Sequence, residues 1–318
     1  METLSIMWPT EVTLRDVSPR DGLQAESTIV PVKERIALID GLAAAGVPRI
    51  EAASFVSSKW LPQMADAETV MAGITRRPGV VYSVLVPNAT GAERAIATHP
   101  DEMTVFVSAS ETHNRHNVNR SIAESLNGFR NVLIVAERAS IPVSAVIVTA
   151  FGCPYEGMVP AERVVSVAQE LQNLGIREIT LGDTVAVANP RQVYQLVMRL
   201  RHVLPQVQWG LHFHDTRATA LANALSALAA GANQLDSALG GIGGSPFSPG
   251  AGGNLATEDV VYCLDSMGVA TGVSLDDLLV LGDDLESMIG HGLPSRVHAA
   301  HGRMVPVGPR PNAEGQDV

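Results

Sequence analysis

Two histidines stand two positions apart at the end of a short apolar stretch, in the segment Gly-Leu-His-Phe-His-Asp-Thr at 210–216. Side chains two residues apart on a β-strand point to the same face, so His212 and His214 would present two imidazoles together. Such a pair is typical of a metal site or simply of a polar strand face. Polar residues in distant parts of the chain favour the metal site.

Asp21 and Asn254 are the residues that complete this set. Asp21 precedes a glycine and so also has the character of a turn aspartate. Together with the two imidazoles they offer one carboxylate, two nitrogens and one amide oxygen, with no thiolate. Such ligands suit Mg²⁺ or Mn²⁺ in an open octahedral site, and they do not exclude zinc.

The elements that must position these residues follow a regular alternation of strand and helix. Strands are predicted at 11–17, 49–55, 80–86, 103–107, 143–148, 178–181, 208–213 and 233–237. Helices are predicted at 31–45, 66–75, 90–98, 122–139, 160–174, 190–204, 217–230 and 256–267. Eight such units without a linker predict a TIM (β/α)8 barrel, with a doubly wound open sheet as the alternative.

A further helix at 275–289 is predicted as a C-terminal appendage to the barrel. We expect one catalytic domain over 1–302 and a flexible tail over 303–318, where Pro, Gly and Asn dominate. Active sites of such barrels lie at the carboxyl ends of the strands. Three more polar residues are expected at that rim, namely Arg20, Glu51 and Asp183.

Composition excludes several classes of partner. The net charge of -11 provides no basic face for nucleic acid or an anionic membrane. No apolar run reaches the length of a membrane span, and residues 1–9 lack the features of a signal peptide. Two cysteines, far apart in sequence, fit a reducing compartment. We therefore expect a cytoplasmic protein without nucleic-acid or membrane partners.

Several long motifs identify a family. The segments 15–24 (Arg-Asp-Val-Ser-Pro-Arg-Asp-Gly-Leu-Gln), 51–64, 152–157, 212–216 and 253–259 closely resemble 3-hydroxy-3-methylglutaryl-CoA lyase. The likeness runs from about residue 12 to residue 289. It implies that the metal ligands are Asp21, His212, His214 and Asn254. It also implies that Arg20, Glu51 and Asp183 lie beside them.

The resemblance implies a retro-Claisen cleavage of a 3-hydroxyacyl-CoA to acetyl-CoA and a keto acid. A divalent cation, Mg²⁺ or Mn²⁺, would act as a Lewis acid on the substrate hydroxyl and carboxylate. Arg20 would stabilise the enolate, and Asp183 or His212 would move the hydroxyl proton. Glu51 would orient Arg20 or a water. Gln24, Lys59 and Asn117 are the residues expected to contact the CoA thioester.

One position departs from the family pattern. The loop 240–253 resembles the family's signature loop, but Ser245 stands where the family has a catalytic cysteine. A hydroxyl is far less acidic than a thiol, so Ser245 cannot simply replace it in proton transfer. Cys153 is predicted to be a packed small residue rather than a substitute nucleophile.

Because Ser245 stands in place of the cysteine, the resemblance does not decide which 3-hydroxyacyl-CoA is the substrate. The chain is expected to cleave 3-hydroxy-3-methylglutaryl-CoA slowly, citramalyl-CoA to acetyl-CoA and pyruvate, or a longer branched homologue. Two rival classes are an acetyl-CoA condensing enzyme of the same superfamily and a metal- and CoA-binding protein without catalysis. A homodimer or higher homo-oligomer is expected from the family.

The remaining histidines are not predicted to be catalytic residues or metal ligands. A polar group after the fourth strand is interpreted as a substrate contact or as a solvated loop: His113, Asn114, His116, Asn117 and Asn119. Five more histidines have no partner spacing and are interpreted as surface residues: His99, His202, His291, His298 and His301.

Overall fold

Ten strands are present in the computed structural model, which describes residues 7–244 and 252–301. In chain order they are β1 (Thr13–Asp16), β2 (Arg49–Ser54), β3 (Val81–Leu85), β4 (Glu102–Ser108), β5 (Val143–Val148), β6 (Gly152–Cys153), β7 (Gly157–Met158), β8 (Glu178–Asp183), β9 (Gln208–Phe213) and β10 (Gln234–Ser237). Eight of them, β1–β5 and β8–β10, are parallel and close into a barrel when β10 pairs with β1. The predicted barrel is confirmed and the open sheet is wrong.

Helices cover the outside of the barrel. They are α1 (Val32–Ala44), α2 (Ala67–Gly73), α3 (Ala89–Ile96), α4 (Glu111–Val118), α5 (Ile122–Arg138), α6 (Ala161–Asn173), α7 (Pro190–Val203), α8 (Ala220–Ala229), α9 (Thr257–Ser266), α10 (Leu275–Ile289) and α11 (Arg296–Ala300). The appended helix is α10, which packs against α1, where Gly41 leaves room for the side chain of Leu281. The tail predicted over 303–318 lies outside the described residues.

The barrel strands carry buried apolar residues on both faces of the sheet, as expected for parallel strands covered by helices. The barrel interior also holds polar residues, and its lowest layer is polar throughout. It consists of the first residues of alternate strands, in the four-residue layering typical of this fold: Arg49, Glu102, Glu178 and Gln234. The guanidinium of Arg49 donates to Glu178 at 2.9 Å and also bonds to Glu102. This ion-paired layer closes the end opposite the strand carboxyl ends.

Three local predictions require correction. The residues 111–118 form helix α4 rather than a solvated loop, because Ser110 caps its first turn and Asn119 ends it in a left-handed conformation at φ 54°. The short antiparallel hairpin formed by β6 and β7, whose strands have two residues each, was not predicted. Helix α8 begins at Ala220 and not at 217, because the Asp215 carboxylate accepts the Ala220 N–H at 2.8 Å.

Two histidines are more buried than the sequence suggested. His113 faces inward from α4 and is 1% exposed. Burial lowers the pKa of His113 to about 4, with a smaller contribution from His116. His298 on α11 is also buried, and its Nε2 lies 3.2 Å from an Asp283 oxygen. Its assignment as a surface residue is therefore wrong.

Among the helices of the described residues, none combines the length and hydropathy of a membrane span.

Candidate metal centre and active site

The chain leaves β1 through a π-helical turn, Ser18–Gly22. The N–H groups of Asp21 and Gly22 both donate to the Val17 carbonyl, at 2.7 and 3.1 Å. Turns of this kind are rare and concentrate at functional sites. Here the wide turn places the consecutive side chains of Arg20 and Asp21 at the barrel mouth.

The two histidines at the end of β9 meet as the sequence predicted. Their rings stand edge to face, and the Nε2 atoms of His212 and His214 are 3.3 Å apart. An Asp21 Oδ2 atom lies 3.9 Å from the same nitrogen of His212. Two nitrogens and one carboxylate oxygen thus converge from strands β1 and β9.

Asn254 reaches this group from the segment after β10. Its backbone forms an isolated antiparallel bridge with His214, and the next residue, Leu255, donates its N–H to Phe213 at 2.9 Å. The Asn254 Nδ2 donates to Asp21 Oδ2 at 3.0 Å. Gly243 supports this approach, because a Cβ there would lie 2.6 Å from Asn254 Nδ2.

These residues fit a divalent cation. Ligand atoms of Asp21, His212 and His214 all lie within 4.8 Å of one another. The Asn254 Oδ1 is buried and has no hydrogen-bond partner among the described residues, so a ligand atom is available there. Oxygen and imidazole donors without a thiolate suit a hard or borderline cation. The structure thus contains a possible metal site with the four side chains predicted for it.

The surroundings of the site favour the ionised form of Asp21 and the neutral form of His214. Burial raises the pKa of Asp21, but Arg20 and the two histidines outweigh it and hold that pKa below its usual value. Burial and the neighbouring His212 lower the pKa of His214 to about 4. Burial lowers the pKa of His212, but the opposing effect of Asp236 and Asp21 is larger, so the pKa is raised overall.

Arg20 is fixed by two carboxylates. Its Nε donates to Glu51 Oε2 at 2.5 Å, and its Nη1 donates to Asp21 Oδ1 at 2.6 Å. Glu51 is 1% exposed and comes from the middle of β2, next to a register shift in its pairing with β3. Sequence reasoning placed Glu51 beside Arg20, and the structure has them in direct contact.

Asp183 ends β8 but bonds to its own loop. Its two carboxylate oxygens accept the N–H groups of Val187 and Ala188, each at 3.0 Å. Burial raises the pKa of Asp183 despite these bonds and the nearby charges of Arg217 and His212. Asp183 therefore lies near the cluster without hydrogen-bonding to any of the four candidate ligands in the described part of the chain.

The residues expected to contact CoA are partly or fully exposed. Gln24 is half-buried, whereas Lys59 and Asn117 are exposed, and none of them hydrogen-bonds to the cluster within 7–244 and 252–301. Ser245 lies outside the described residues. Cys153 is buried in the β6–β7 hairpin, where its Sγ accepts two backbone N–H groups and bonds to Ser110 Oγ at 2.9 Å. These contacts agree with its predicted packing role.

Sequence reasoning missed two buried charged residues behind His212. Asp236 on β10 lies 3.3 Å from His212 Nδ1, and Arg15 on β1 is ion-paired with Asp236. Little signal for them was available, because β1 and β10 each contain a single apolar residue, and a charged residue does not stand out in such a strand.

Comparisons with known proteins match the chain over almost its whole length. The HMGL-like family model matches residues 11–285. Hydroxymethylglutaryl-CoA lyase YngG of Bacillus subtilis is 45% identical, over 91% of this chain and 97% of its own. The mitochondrial hydroxymethylglutaryl-CoA lyase of Mus musculus is 46% identical, over 92% and 90%.

A solved structure extends the likeness to the fold. An HMG-CoA lyase from A. baumannii, in complex with coenzyme A and 3-methylmalate, has a TM-score of 0.88 and 41% identity, covering 98% of this chain and all of that one. At this coverage, the match spans the strands that carry the candidate metal ligands as well as the appended helix. With a family match from before β1 into α10 and relatives this similar along their whole length, the chain belongs to the HMGL-like family.

Proposed function

We propose that this chain is a divalent-metal-dependent carbon-carbon lyase that cleaves 3-hydroxy-3-methylglutaryl-CoA to acetyl-CoA and acetoacetate. The observation that carries the proposal is the convergence of Asp21, His212, His214 and Asn254 at the strand carboxyl ends, with Arg20 bonded to the same aspartate. Relatives that match along almost their whole length are named as lyases for this substrate.

The four side chains would hold Mg²⁺ or Mn²⁺, which suits their oxygen and imidazole donors. When bound, the cation would supply Lewis-acid stabilisation to the substrate's hydroxyl and carboxylate oxygens. His214 serves this binding as a neutral ligand, since burial and the neighbouring His212 hold its pKa at about 4. Asp21 serves as an ionised ligand, because its pKa lies below the usual value.

The bond that breaks joins the carbinol carbon to the carbon next to the thioester. The hydroxyl loses its proton, the carbinol carbon becomes the ketone of acetoacetate, and the electron pair moves onto the thioester as an enolate. Arg20 stabilises that oxyanion, because a fixed cation pre-aimed at developing charge needs no reorganisation. Glu51 and Asp21 fix the guanidinium from two sides. Protonation of the enolate carbon then gives acetyl-CoA.

Asp183 and His212 are the two candidate groups for accepting the hydroxyl proton. Asp183 has a raised pKa, caused chiefly by burial, which moves it toward the range useful for general acid-base catalysis. His212 bonds to Asp236 through Nδ1 and offers Nε2 to the cation, so accepting the proton would require it to release one of these two partners. Replacing Asp183 with asparagine removes a proton acceptor at the cost of one loop hydrogen bond, because the amide Nδ2 cannot accept the N–H of Val187 or Ala188. A large fall in kcat with unchanged Mn²⁺ affinity would favour Asp183 over His212.

We include Gln24, Lys59 and Asn117 in the proposal as residues that contact the CoA part of the substrate. Lys59 is one of two lysines in the chain and is exposed on the loop after β2. A salt-dependent increase in KM for the Lys59→Ala variant, without a change in kcat, is expected from a contact with a CoA phosphate.

The names of the relatives favour this substrate over the alternatives of citramalyl-CoA cleavage and acetyl-CoA condensation. The experiment that tests the choice measures acetyl-CoA release from 3-hydroxy-3-methylglutaryl-CoA and from citramalyl-CoA, with Mg²⁺, with Mn²⁺ and with a chelator. A parallel reaction supplies acetyl-CoA and keto acids to detect condensation. Preferred cleavage of the first substrate supports the proposal, and preferred cleavage of citramalyl-CoA or net condensation contradicts it.

Two variants test the residues. His214→Ala removes a proposed ligand, so turnover should be lost as completely as in chelator. His202→Ala, at an exposed position on α7, is the matched control and should retain full turnover. Turnover that survives in chelator or in the His214 variant would refute the metal-dependent mechanism.

The assembly and the compartment complete the proposal. We expect a homodimer or higher homo-oligomer, measured as molar mass by light scattering on the full chain. Both cysteines have free thiols, as is usual for proteins of reducing compartments, and this supports a cytoplasmic location. Fractionation of the source cells tests it.

A further inference from the structure

A carboxylate and a guanidinium lie behind the imidazole of His212, on the side opposite its Nε2. His212 Nδ1 is 3.3 Å from Asp236 Oδ2. Arg15 donates to both oxygens of this carboxylate, through Nε at 2.9 Å and Nη2 at 2.8 Å. Asp236 is 3% exposed and Arg15 is 1% exposed, so the pair is removed from water.

The register of the sheet sets this arrangement. Arg15 on β1 pairs with Asp236 on β10, and Asp236 pairs with His212 on β9. The three residues therefore occupy the same level of three neighbouring strands, with their side chains in contact inside the barrel. A row fixed by backbone pairing does not depend on the conformation of a loop.

Further contacts fix the arginine. Its Nη2 also donates to Thr180 Oγ1 at 3.2 Å, and its Nη1 lies 3.8 Å from Glu102. The Thr180 hydroxyl fits because residue 210 is glycine, where a Cβ would approach that oxygen to 2.6 Å. The guanidinium is thus oriented from β4 and β8 as well as from β10.

The contact decides which nitrogen of His212 carries the proton. An ionised carboxylate can only accept hydrogen bonds, so the nitrogen facing Asp236 must be the donor. In the neutral ring, Nε2 then has a free lone pair directed at Asp21 and His214. A metal ligand needs that lone pair, and partners behind a ligating histidine fix both its tautomer and its orientation.

We propose that Asp236, held by Arg15, is the positioning residue that keeps His212 in its Nδ1–H tautomer and so makes Nε2 available to the cation. The proposal rests on the proposed metal site but not on the identity of the substrate. His214 differs, because its hydrogen-bonding contact outside the cluster is with the backbone of Gly252 and not with a carboxylate. The positioning thus acts on one of the two histidines.

Two variants test the proposal. Asp236→Ala removes the acceptor but leaves Arg15 buried without its partner, which endangers folding. The double variant R15M/D236L removes the acceptor and the guanidinium together and fills the space with apolar atoms, a replacement that buried ion pairs often tolerate. The matched control is Glu178→Ala, which removes a carboxylate paired with another barrel arginine, Arg49, at the end far from the histidines.

Two readouts are needed. Nitrogen-15 NMR of histidine-labelled, metal-free protein reports the tautomer of His212, assigned with a His212→Gln sample. Calorimetric titration with Mn²⁺ reports the cation affinity. We expect both Asp236 variants to populate the Nε2–H tautomer of His212 and to bind Mn²⁺ about 10- to 100-fold more weakly, the usual effect of removing such a partner. Glu178→Ala should match the wild type in both.

Retention of the Nδ1–H tautomer, or Mn²⁺ affinity within twofold of the wild type in a folded Asp236 variant, would overturn the proposal. The tautomer is read without metal or substrate, so it is independent of the lyase assay. A wild-type protein that shows the predicted tautomer and binds Mn²⁺ but leaves 3-hydroxy-3-methylglutaryl-CoA intact would contradict the proposed function and support the positioning role.

Discussion

Glu258 should make the stability of the protein fall as the pH rises. Glu258 lies in the first turn of α9, is fully buried, and accepts the Gly240 N–H with both carboxylate oxygens at 2.9 Å. Burial raises the pKa of Glu258 to about 8 from an ordinary value of 4.5. The folded state therefore binds a proton that the unfolded state releases between those two values.

The sign follows from this difference in proton binding. A carboxyl whose pKa is raised by folding contributes its full stability below the unfolded value, and that contribution is lost as the pH rises toward the folded value. One unit of pKa difference corresponds to about 1.4 kcal/mol. Between pH 5 and pH 8 the wild type should thus lose about 3 to 4 kcal/mol of unfolding free energy through Glu258 alone.

The perturbation is Glu258→Gln, which keeps an acceptor oxygen for Gly240 but cannot ionise. Unfolding free energies are measured by urea denaturation, followed by circular dichroism, at intervals from pH 5 to pH 8. The difference between variant and wild type should shift in favour of the variant by about 3 to 4 kcal/mol over this range. The variant Asp276→Asn, at an exposed acid on α10, controls for the loss of one negative charge. Parallel curves for wild type and Glu258→Gln would refute the reasoning.

Three other outcomes are expected. Ser121→Ala should cost about 1 kcal/mol in urea denaturation, because Ser121 and Glu124 form a reciprocal capping box at the start of α5; an unchanged midpoint would contradict it. Gly210→Ala should cost about 1 to 3 kcal/mol, because the added Cβ would lie 2.6 Å from Thr180 Oγ1; a neutral effect on melting temperature would show that the strand can shift. Mn²⁺ at about 100 times its Kd should stabilise the wild type by about 2.7 kcal/mol in a thermal-shift assay and leave His214→Ala unchanged; equal shifts would mean that the ion binds elsewhere.

The barrel could be predicted because eight strand–helix units repeat with clear apolar periodicity. The convergence of Asp21 and His212 followed from the rule that strand carboxyl ends share one rim. Helix α4 was missed because its eight residues are almost wholly polar, and its signal lay in the Ser110 and Asn119 caps. The hairpin at Cys153 is too short to have a periodicity.

The hydrogen bonds of the site residues could not be predicted, because they depend on how separate segments of the chain are placed relative to one another. The contact of His212 with Asp236 requires the register in which β9 pairs with β10, which a single sequence does not specify. The bonds of Asp183 to its own loop depend on backbone N–H groups, which every residue type carries. Side-chain identity therefore indicated where the chemistry lies, and backbone register determined how it is arranged.

The candidate ligands come from both ends of the barrel sequence. Asp21 and Asn254 are 233 positions apart, and each follows one of the two strands whose pairing closes the barrel. During synthesis, Asp21 leaves the ribosome long before Asn254 exists. The complete pocket can therefore form only after the last strand has joined the first. The ion should consequently bind after barrel closure. Once bound, it should stabilise the pairing of β1 with β10 by linking the segments that follow these two strands.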